Sequence, residues 1–303
     1  MRIGNPVAFL VLIMSTACSS DEAPAPVAKK QPVELEAHGH VRVDDYFWLN
    51  QRDDPDVLAY LEAENAHAEA RLAGAARLRA QLVEEMKGRI REDETTAPYR
   101  HGDYYYYRRY EAGKEYPIYC RKKGTLDAAE EILLDVNAIA GDAPYFAVAG
   151  VKVSPDHRIL SYGVDTRGRR FYDLRFIDLA TGEHLDEAIE DVTPYHVWAN
   201  DSQTVVYVRQ DPETLRWNQV YAHELGADSH RLIYEETDET FSVYAYKSLS
   251  DRFIYMHSDS TLATEVRYLP ADAPDSEPRL FLARESEHEY SVTDGGDRFY
   301  ILS

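Results

Sequence analysis

Side chains that could do chemistry are few in this chain of 303 residues, and they lie far apart. His38 and His40 are spaced like a metal-binding pair, but no third ligand has a suitable spacing, so no metal site is expected. Cys120 lies in an alternating, strand-like run, which favours a small buried side chain over a nucleophile. The G-x-S-x-G pattern of a nucleophilic serine does not occur in the chain. The sequence therefore offers no catalytic residue, no metal ligand and no cofactor site.

The first residues are typical of an export signal. Arg2 precedes eight apolar residues, 7–14, a run too short to span a hydrocarbon layer about 30 Å thick. Residues 15–18 (STAC) follow and resemble a bacterial lipobox, although Ser15 stands where Leu is usual. The alternatives are an ordinary signal peptide cut nearby and an incidental cysteine at position 18.

Cys18 is accordingly the predicted lipidation site. The signal peptide covers residues 1–17, and a Pro/Ala-rich linker of the lipoprotein type covers residues 18–36. We expect an exported protein, in the periplasm or anchored to the outer membrane, that meets the membrane only through its lipid. If Cys18 carries lipid, Cys120 has no partner for an intramolecular disulfide.

The charge balance excludes one class of function. The chain has 33 Lys and Arg against 54 Asp and Glu, a formal net charge of −21, and such a surface repels nucleic acid. Hydrophobic residues make up 44% of the chain, which is too many for a disordered protein. The negative field would concentrate basic peptides, unless it serves solubility alone. One acidic cluster, Glu235, Glu236 and Asp238, fits a solvated turn better than a binding site.

Residues 37–96 have the pattern of a helical segment. Asp54 before Pro55 predicts an N-cap followed by the first helical residue. Apolar or small side chains then recur at helical spacing with a shift near Gly74, so two helices or one kinked helix fit the pattern. These positions are Leu58, Leu61, Ala68, Leu72, Ala75, Leu78, Leu82, Met86 and Ile90. Because this apolar stripe is too large to remain in water, it predicts a packing partner.

From residue 97 onward the apolar pattern alternates with period two, which predicts short strands. A turn of similar sequence precedes a strand at four places, marked by Asp156, Asp201, Asp251 and Asp297. The intervals between these markers are 45, 50 and 46 residues. Each Asp is predicted to accept a hydrogen bond from the backbone N–H two residues later. The tyrosines at 104–107 are predicted to form a strand whose alternate rings face core and solvent.

A repeat of this length with about four strands is typical of a β-propeller blade. The predicted fold class is mainly β: an incomplete propeller in residues 97–303, with about four blades plus one strand, preceded by the α-helical segment. A pair of β-sandwiches is the alternative. Because a propeller removes its sheet edges by closing its ring, we expect further chain after Ser303.

Nine segments resemble the prolyl oligopeptidase family of serine peptidases, and within it most closely the oligopeptidase B (protease II) branch. They occur in order between residues 31 and 303. Taken together they indicate this family specifically, although any one segment alone would be weak evidence for it. The segments are residues 38–49 (HGHVRVDDYFWL), 60–65 (YLEAEN), 85–90 (EMKGRI), 115–118 (EYPI), 133–137 (LLDVN), 153–156 (VSPD), 197–201 (VWAND), 235–238 (EETD) and 295–302 (GGDRFYIL).

The resemblance implies a seven-bladed propeller that caps a C-terminal α/β-hydrolase domain, with this chain as the N-terminal portion only. The family cleaves short peptides, and the oligopeptidase B branch cuts after Arg or Lys. Its catalytic Ser, Asp and His belong to the hydrolase domain, so none is carried over and this chain alone is predicted to be inactive. The helical segment would pack partly on that domain. The propeller would admit thin peptides and exclude folded proteins.

A second hypothesis comes from a different class of function. The chain would be complete as it stands and act as a non-catalytic, propeller-like binding module on the cell envelope, pairing its open arc with another copy. In the first hypothesis the partners are short basic peptides and the hydrolase domain.

Overall fold

Residues 24–303 are described by the computed structural model, so the predicted signal peptide and Cys18 lie outside the described residues. The chain divides into two compact units, one ending at Arg91 and the other covering Glu92–Ser303. In the described part of the chain, no helix combines the length and the apolar character needed to cross a membrane.

The first unit contains a β-hairpin that the sequence did not reveal. Strands β1 (Val33–Ala37) and β2 (His40–Asp44) pair antiparallel. Their two-residue turn needs positive φ at both positions, and His38 and Gly39 have φ values of 53° and 75°. His38 therefore lies in the tight turn, and His40 is the first residue of β2. Within residues 24–303, no group of three His, Cys, Asp or Glu side chains is placed to hold a metal ion.

Within residues 37–96, the predicted helices are confirmed as a nearly continuous run from Pro55 to Lys87. Asp54 Oδ1 accepts from Asp56 N at 2.8 Å and caps α1 (Pro55–Leu72). A 3-10 turn, Ala73–Ala75, leads directly into α2 (Ala76–Lys87). The shift in the apolar pattern near Gly74 therefore corresponds to one tightened turn rather than to a loop.

The second unit consists of antiparallel sheets that follow one another along the chain. The first blade contains β3 (Tyr99–His101), β4 (Tyr104–Arg109), β5 (Ile118–Lys123) and β6 (Glu130–Asp135), followed by a short helix, α3 (Val136–Ala140). The second and third blades share seven strands: β7 (Ala147–Val153), β8 (Ile159–Asp165), β9 (Tyr172–Asp178), β10 (His184–Trp198), β11 (Thr204–Gln210), β12 (Trp217–Glu224) and β13 (Arg231–Glu235). The fourth blade contains β14 (Ser242–Lys247), β15 (Phe253–Asp259), β16 (Thr264–Pro270) and β17 (Arg279–Leu282).

Strand β10 belongs to two blades. Its first part, from His184 to Val192, pairs with β9, and its second part, from Val192 to Trp198, pairs with β11. The register shifts between Val192 and His196, and Asp191 has a φ of 56°. Because a bulge bends and twists a strand, the last strand of the second blade continues directly as the first strand of the third.

A two-stranded hairpin follows the fourth blade, formed by β18 (Ser291–Asp294) and β19 (Phe299–Leu302). The predicted incomplete propeller is confirmed as four blades whose sheets do not close into a ring. The fifth unit, however, contributes two strands where the sequence predicted one. Strand β18 (SVTD) is short and mostly polar, so its sequence did not predict a strand, although its side chains alternate between exposed and buried.

The buried core lies between consecutive blades. Leu160 of the second blade shares a buried cluster with Tyr106 of the first, and Phe176 of the second shares one with Tyr207 of the third. Further clusters join the third blade to the fourth and the fourth to the terminal hairpin. Each blade therefore buries its faces against its neighbours, as the repeat predicted.

The tyrosines of β4 depart from the predicted alternation between core and solvent. The adjacent rings of Tyr106 and Tyr107 are 4% and 9% exposed. Tyr106 Oη hydrogen-bonds His157 Nδ1 of the second blade at 2.8 Å, whereas Tyr107 donates to Glu130 Oε2 of its own blade at 2.5 Å. The prediction was wrong because both faces of this strand are covered.

Candidate functional site

The predicted turns connect the first and second strands of successive blades and share one geometry. In the second blade, Ser154 N donates to Ile159 O, and His157 N donates to Ser154 O. The same two bonds recur in the turns that begin at Ala199 and Ser248. The repeat found in the sequence is therefore a repeated backbone structure at one rim of the arc.

The predicted role of the Asp markers is confirmed in two turns. Asp156 Oδ1 accepts from Arg158 N at 3.2 Å. Asp201 Oδ1 accepts from Gln203 N at 2.9 Å and from Thr204 N at 2.8 Å. These carboxylates satisfy backbone N–H groups that the tight turn leaves without a partner in the strand ladder.

The prediction is wrong for Asp251. This residue occupies the position of His157 and Ser202, and the three have φ values of 58°, 62° and 59°. Its carboxylate lies 3.9 Å from Lys247 Nζ, and Ser250 stands at the position of the capping Asp. The sequence pattern therefore placed the marker of this repeat one residue too late, at Asp251 instead of Ser250. Asp is tolerated there because its short polar side chain permits positive φ better than most.

In the terminal hairpin a different residue caps the turn. Asp294 Oδ1 accepts from Gly296 N at 3.0 Å, whereas the predicted marker, Asp297, pairs with the neighbouring Arg298. Asp294 also accepts from Arg252 Nε of the fourth blade at 2.8 Å and from Ser250 Oγ. The bonds from Arg252 and Ser250 hold the pKa of Asp294 well below its usual range.

Turns of neighbouring blades also bond to one another. Asp156 N donates to Ser202 Oγ at 3.1 Å, which joins the second blade to the third. Asn200 Nδ2 donates to Asp251 O at 2.9 Å, which joins the third blade to the fourth. Together with the Arg252–Asp294 bond, these contacts form a hydrogen-bonded rim that runs from the second blade to the terminal hairpin.

A cavity of about 400 Å³ opens among these turns, and we call it the rim cavity. The first strands of the blades meet there, with β10 in contact with both β7 and β14. The side chains that give the rim cavity its chemical character are His101, Lys152, His157, Trp198, Lys247 and Asp251. It therefore combines cationic, aromatic and hydrogen-bonding groups at the end of the first strands.

Two lysines make the rim cavity cationic, and neither was singled out from the sequence. Burial lowers the pKa of Lys152, and the ammonium of Lys247 lowers it further. Burial also lowers the pKa of Lys247, against the opposing effects of Asp251, Asp272 and Asp201. The sequence did contain a signal for these two residues. They are the two lysines between Gly124 and Ser303, and each comes just before a repeated turn.

A buried Ser–His pair beside the rim cavity is structural. Ser161 Oγ lies 2.6 Å from His196 Nε2 and accepts from Trp198 Nε1 at 2.8 Å. His196 Nδ1 faces Pro194 O at 3.1 Å rather than a carboxylate, and burial lowers the pKa of His196 to about 3. A catalytic pair needs access to substrate and an imidazole that can accept a proton, and this pair has neither.

The acidic cluster predicted as a solvated turn contains a buried ion pair. Glu236 is 3% exposed, and its Oε2 accepts from Arg284 Nη2 at 2.6 Å and from Tyr234 Oη at 2.8 Å. Arg284 also reaches Glu265 Oε1 at 3.3 Å. Burial favours a higher pKa for Glu236, but the bonds from Arg284 and Tyr234 outweigh it and leave the pKa lowered. The prediction was wrong for Glu236 because its partner lies 48 residues away in sequence.

A second cavity, of about 330 Å³, lies between the first and second blades. Tyr99, Tyr119, Cys120 and Leu160 contribute to its largely apolar wall. Cys120 is fully buried, and burial raises the pKa of its thiol to about 12. The prediction that Cys120 is a small buried side chain is confirmed.

Known proteins share this architecture and sequence. The model of the prolyl oligopeptidase N-terminal β-propeller domain matches residues 25–303. Dipeptidyl aminopeptidase BI from Pseudoxanthomonas mexicana is 38% identical over 95% of this chain, and protease 2 from Moraxella lacunata is 35% identical over 92%. The structure of oligopeptidase B from Leishmania major is 30% identical, with a TM-score of 0.86 over 92% of this chain.

The chain covers well under half of each relative. It spans 42% of the dipeptidyl aminopeptidase, 41% of protease 2 and 42% of the Leishmania oligopeptidase B chain. The matched region holds the helices and the arc of blades described above. By its N-terminal β-propeller domain, the chain belongs to the prolyl oligopeptidase family of serine peptidases.

Proposed function

We propose that this chain is the propeller part of a serine oligopeptidase that hydrolyses short peptides after Arg or Lys. The observation that carries the proposal is the family match over residues 25–303, which includes every blade and both helices. The similarity to proteins named protease 2 and oligopeptidase B supports a basic residue before the cleaved bond. The formal net charge of −21 supports it as well, because a negative field concentrates cationic peptides near the protein.

In this proposal the propeller selects substrates and a separate α/β-hydrolase domain does the chemistry. The nucleophile, its histidine base and the aspartate that orients it would all come from that domain. The blades would restrict entry to thin, flexible chains, since the hydrogen-bonded rim keeps the first strands close together. The described residues would then contribute binding and size selection.

The proposed location is the cell envelope. The apolar run at residues 7–14 and the STAC sequence at residues 15–18 support export and lipidation of Cys18. Labelling with a radioactive or alkyne-bearing fatty acid in the bacterium tests this part, and Cys18→Ser should abolish the label. A label that persists in the variant would contradict the anchor and leave the catalytic proposal untouched.

The proposal is tested with two proteins. The 303-residue chain alone should give no hydrolysis of benzoyl-Arg p-nitroanilide above the buffer rate. The chain fused to the C-terminal part of Moraxella lacunata protease 2 that it does not match should cleave this substrate. The fusion should cleave neither the Glu analogue nor folded proteins. Turnover by the chain alone would overturn the assignment of chemistry to another domain, and cleavage of folded proteins would overturn the role in size selection.

A second specificity has one observation in its favour. Among the relatives compared above, the highest identity is to an enzyme named dipeptidyl aminopeptidase, which suggests removal of dipeptides from free N-termini. The same fusion protein distinguishes the two, with Ala-Arg p-nitroanilide and its N-acetylated form as substrates. Equal rates would support internal cleavage after Arg, and loss of activity on the acetylated form would support the dipeptidyl activity.

A further inference from the structure

We propose that the rim cavity binds the carboxylate of a peptide between the ammonium groups of Lys152 and Lys247. The inference deepens the proposed function by naming the part of a peptide ligand that the propeller recognises, and it rests on that function for the identity of the ligand. The helical segment and the hydrolase chemistry play no part in it.

The placement of these lysines is the first argument. The chain from Gly124 to Ser303 contains two lysines, and both line the same cavity. Lys152 comes from β7 of the second blade and Lys247 from the end of β14 in the fourth. Solvent exposure alone would scatter lysines over the surface of a strongly acidic protein. Their convergence from two blades requires the tertiary structure.

The second argument is that neither lysine forms a close ion pair, although Asp251, Asp272 and Asp201 favour the charged form of Lys247 from a greater distance. In the described part of the chain, no carboxylate lies within 4.0 Å of Lys152 Nζ, and the one such contact of Lys247 is Asp251 at 3.9 Å. Elsewhere, Lys30 lies 2.8 Å from Asp45 in a direct ion pair. Burial is the main cause of the lowered pKa of Lys152, and repulsion from the ammonium of Lys247 lowers it further. A bound carboxylate would relieve this repulsion through charge-assisted hydrogen bonds.

The third argument selects a peptide carboxylate over other anions. The net charge of −21 repels phosphates and other multiply charged anions more strongly than a peptide whose Arg or Lys offsets the charge of its carboxylate. Such a peptide carries both signs of charge, so its cationic side chains suit the acidic surface and its carboxylate suits the rim cavity. The indole of Trp198 and the imidazoles of His101 and His157 offer apolar and hydrogen-bonding surface beside the two lysines.

Competitive trace acetylation followed by mass spectrometry tests the proposal, because it reports on each lysine separately in dilute protein. The probe is acetyl-Ala-Arg with a free C-terminal carboxylate, and its C-terminal amide is the matched control. With about 5 mM peptide and a Kd of about 1 mM, mass action predicts that labelling of Lys152 and Lys247 slows about sixfold. Lys114 and Lys122 serve as internal controls and should react unchanged.

Variants and further ligands make the outcome specific. In Lys152→Gln the free acid should no longer protect Lys247, whereas Lys152→Arg keeps the charge and should retain protection. Lys114→Gln is the matched surface control. A variant that fails to fold would show faster labelling at every lysine, and Lys152→Arg then carries the test. Amide-capped acetyl-Asp-Arg separates a side-chain carboxylate from the C-terminal one.

Three results would overturn the inference. Equal protection by acid and amide would mean that peptides bind without carboxylate recognition, which leaves the proposed function standing. Stronger protection by inorganic phosphate would mean a general anion site. No protection by any peptide would remove the carboxylate site, whereas the proposed function is judged separately by hydrolysis in the fusion protein.

Discussion

The helical segment and the blades both have a periodic apolar sequence pattern, but they differ in how far their apolar side chains are buried. In α2 no residue is buried, and Leu78, Leu82 and Met86 are 57%, 45% and 56% exposed. In the blades, Leu174 and Phe176 are fully buried. A blade finds its cover in the next repeat, whereas a lone helical run depends on a surface of different origin. The apolar periodicity of the sequence therefore predicts the helix or strand but not the surface against which its apolar side chains pack.

Matched Leu→Ala substitutions give the largest expected contrast. Leu174→Ala should lower the free energy of unfolding by about 2–5 kcal/mol, because it leaves a cavity in the cluster between the second and third blades. Leu82→Ala on α2 should cost less than about 1 kcal/mol, since that side chain is already half exposed. Urea denaturation followed by tryptophan fluorescence and circular dichroism measures both. A similar loss for Leu82→Ala would show that the helical stripe is covered in solution.

Breaking the buried ion pair between blades should have the next largest effect. Arg284→Met leaves Glu236 buried without its cation and should cost about 3 kcal/mol, whereas Glu265 keeps its ion pair with Arg267. The surface control is Arg298→Met, whose partner Asp297 is well exposed, and it should cost no more than about 0.5 kcal/mol. The loss in Arg284→Met should shrink near pH 4, where Glu236 can take up a proton. A loss that is equal at pH 7 and pH 4 would argue against this cause.

The blades should also make stability depend on pH through two buried histidines. Burial lowers the pKa of His196 to about 3 and that of His257 to about 4. The unfolded chain protonates these groups near their ordinary pKa of about 6.5, so their contribution is complete above that pH and is lost as the pH falls. Between pH 6 and pH 4, each histidine should lower the free energy of unfolding by up to about 1.4 kcal/mol per pH unit.

A histidine variant in each unit separates this effect from general acid sensitivity. His257 stacks on Tyr244 with ring centroids 4.8 Å apart, and among residues 24–303 its Nδ1 has no hydrogen-bond partner. His257→Phe therefore keeps the packing and removes the titration. The slope of stability against pH should become flatter in His257→Phe than in the surface control His40→Phe, on the exposed hairpin. An unchanged slope in both variants would assign the pH dependence to other groups.

The smallest expected change is a gain in the helical run. Gly74 has open space around the position of a Cβ and no positive φ, so Gly74→Ala should stabilise the 3-10 turn between α1 and α2 by about 0.5–1 kcal/mol. Gly88→Ala is the matched control, because its Cβ would lie 3.3 Å from Glu84 O. Circular dichroism of the helical signal during urea denaturation reports the difference. A loss of stability in Gly74→Ala would mean that this turn needs glycine for another contact.

The local features of the fold were readable from the sequence because each depends on neighbouring residues. The cap at Asp54, the helical run, the turns at Asp156 and Asp201 and the order of the blades follow from short-range patterns. The sequence predictions were wrong where contacts between residues far apart in sequence decide whether a side chain is buried. Glu236 is buried because Arg284 reaches it from 48 residues away, and the tyrosines of β4 are covered on both faces by separate segments.

By itself, the sequence determined the repeat, its period near 47 residues and the class of fold, because an alternating apolar pattern between turn residues leaves few other ways to bury its side chains. Tertiary structure alone decided that β10 serves two blades, that neighbouring turns bond into one rim, and that Lys152 and Lys247 share a cavity. These features depend on contacts between groups separated by tens of residues. Their distances are set by how whole blades pack, and no local pattern encodes that.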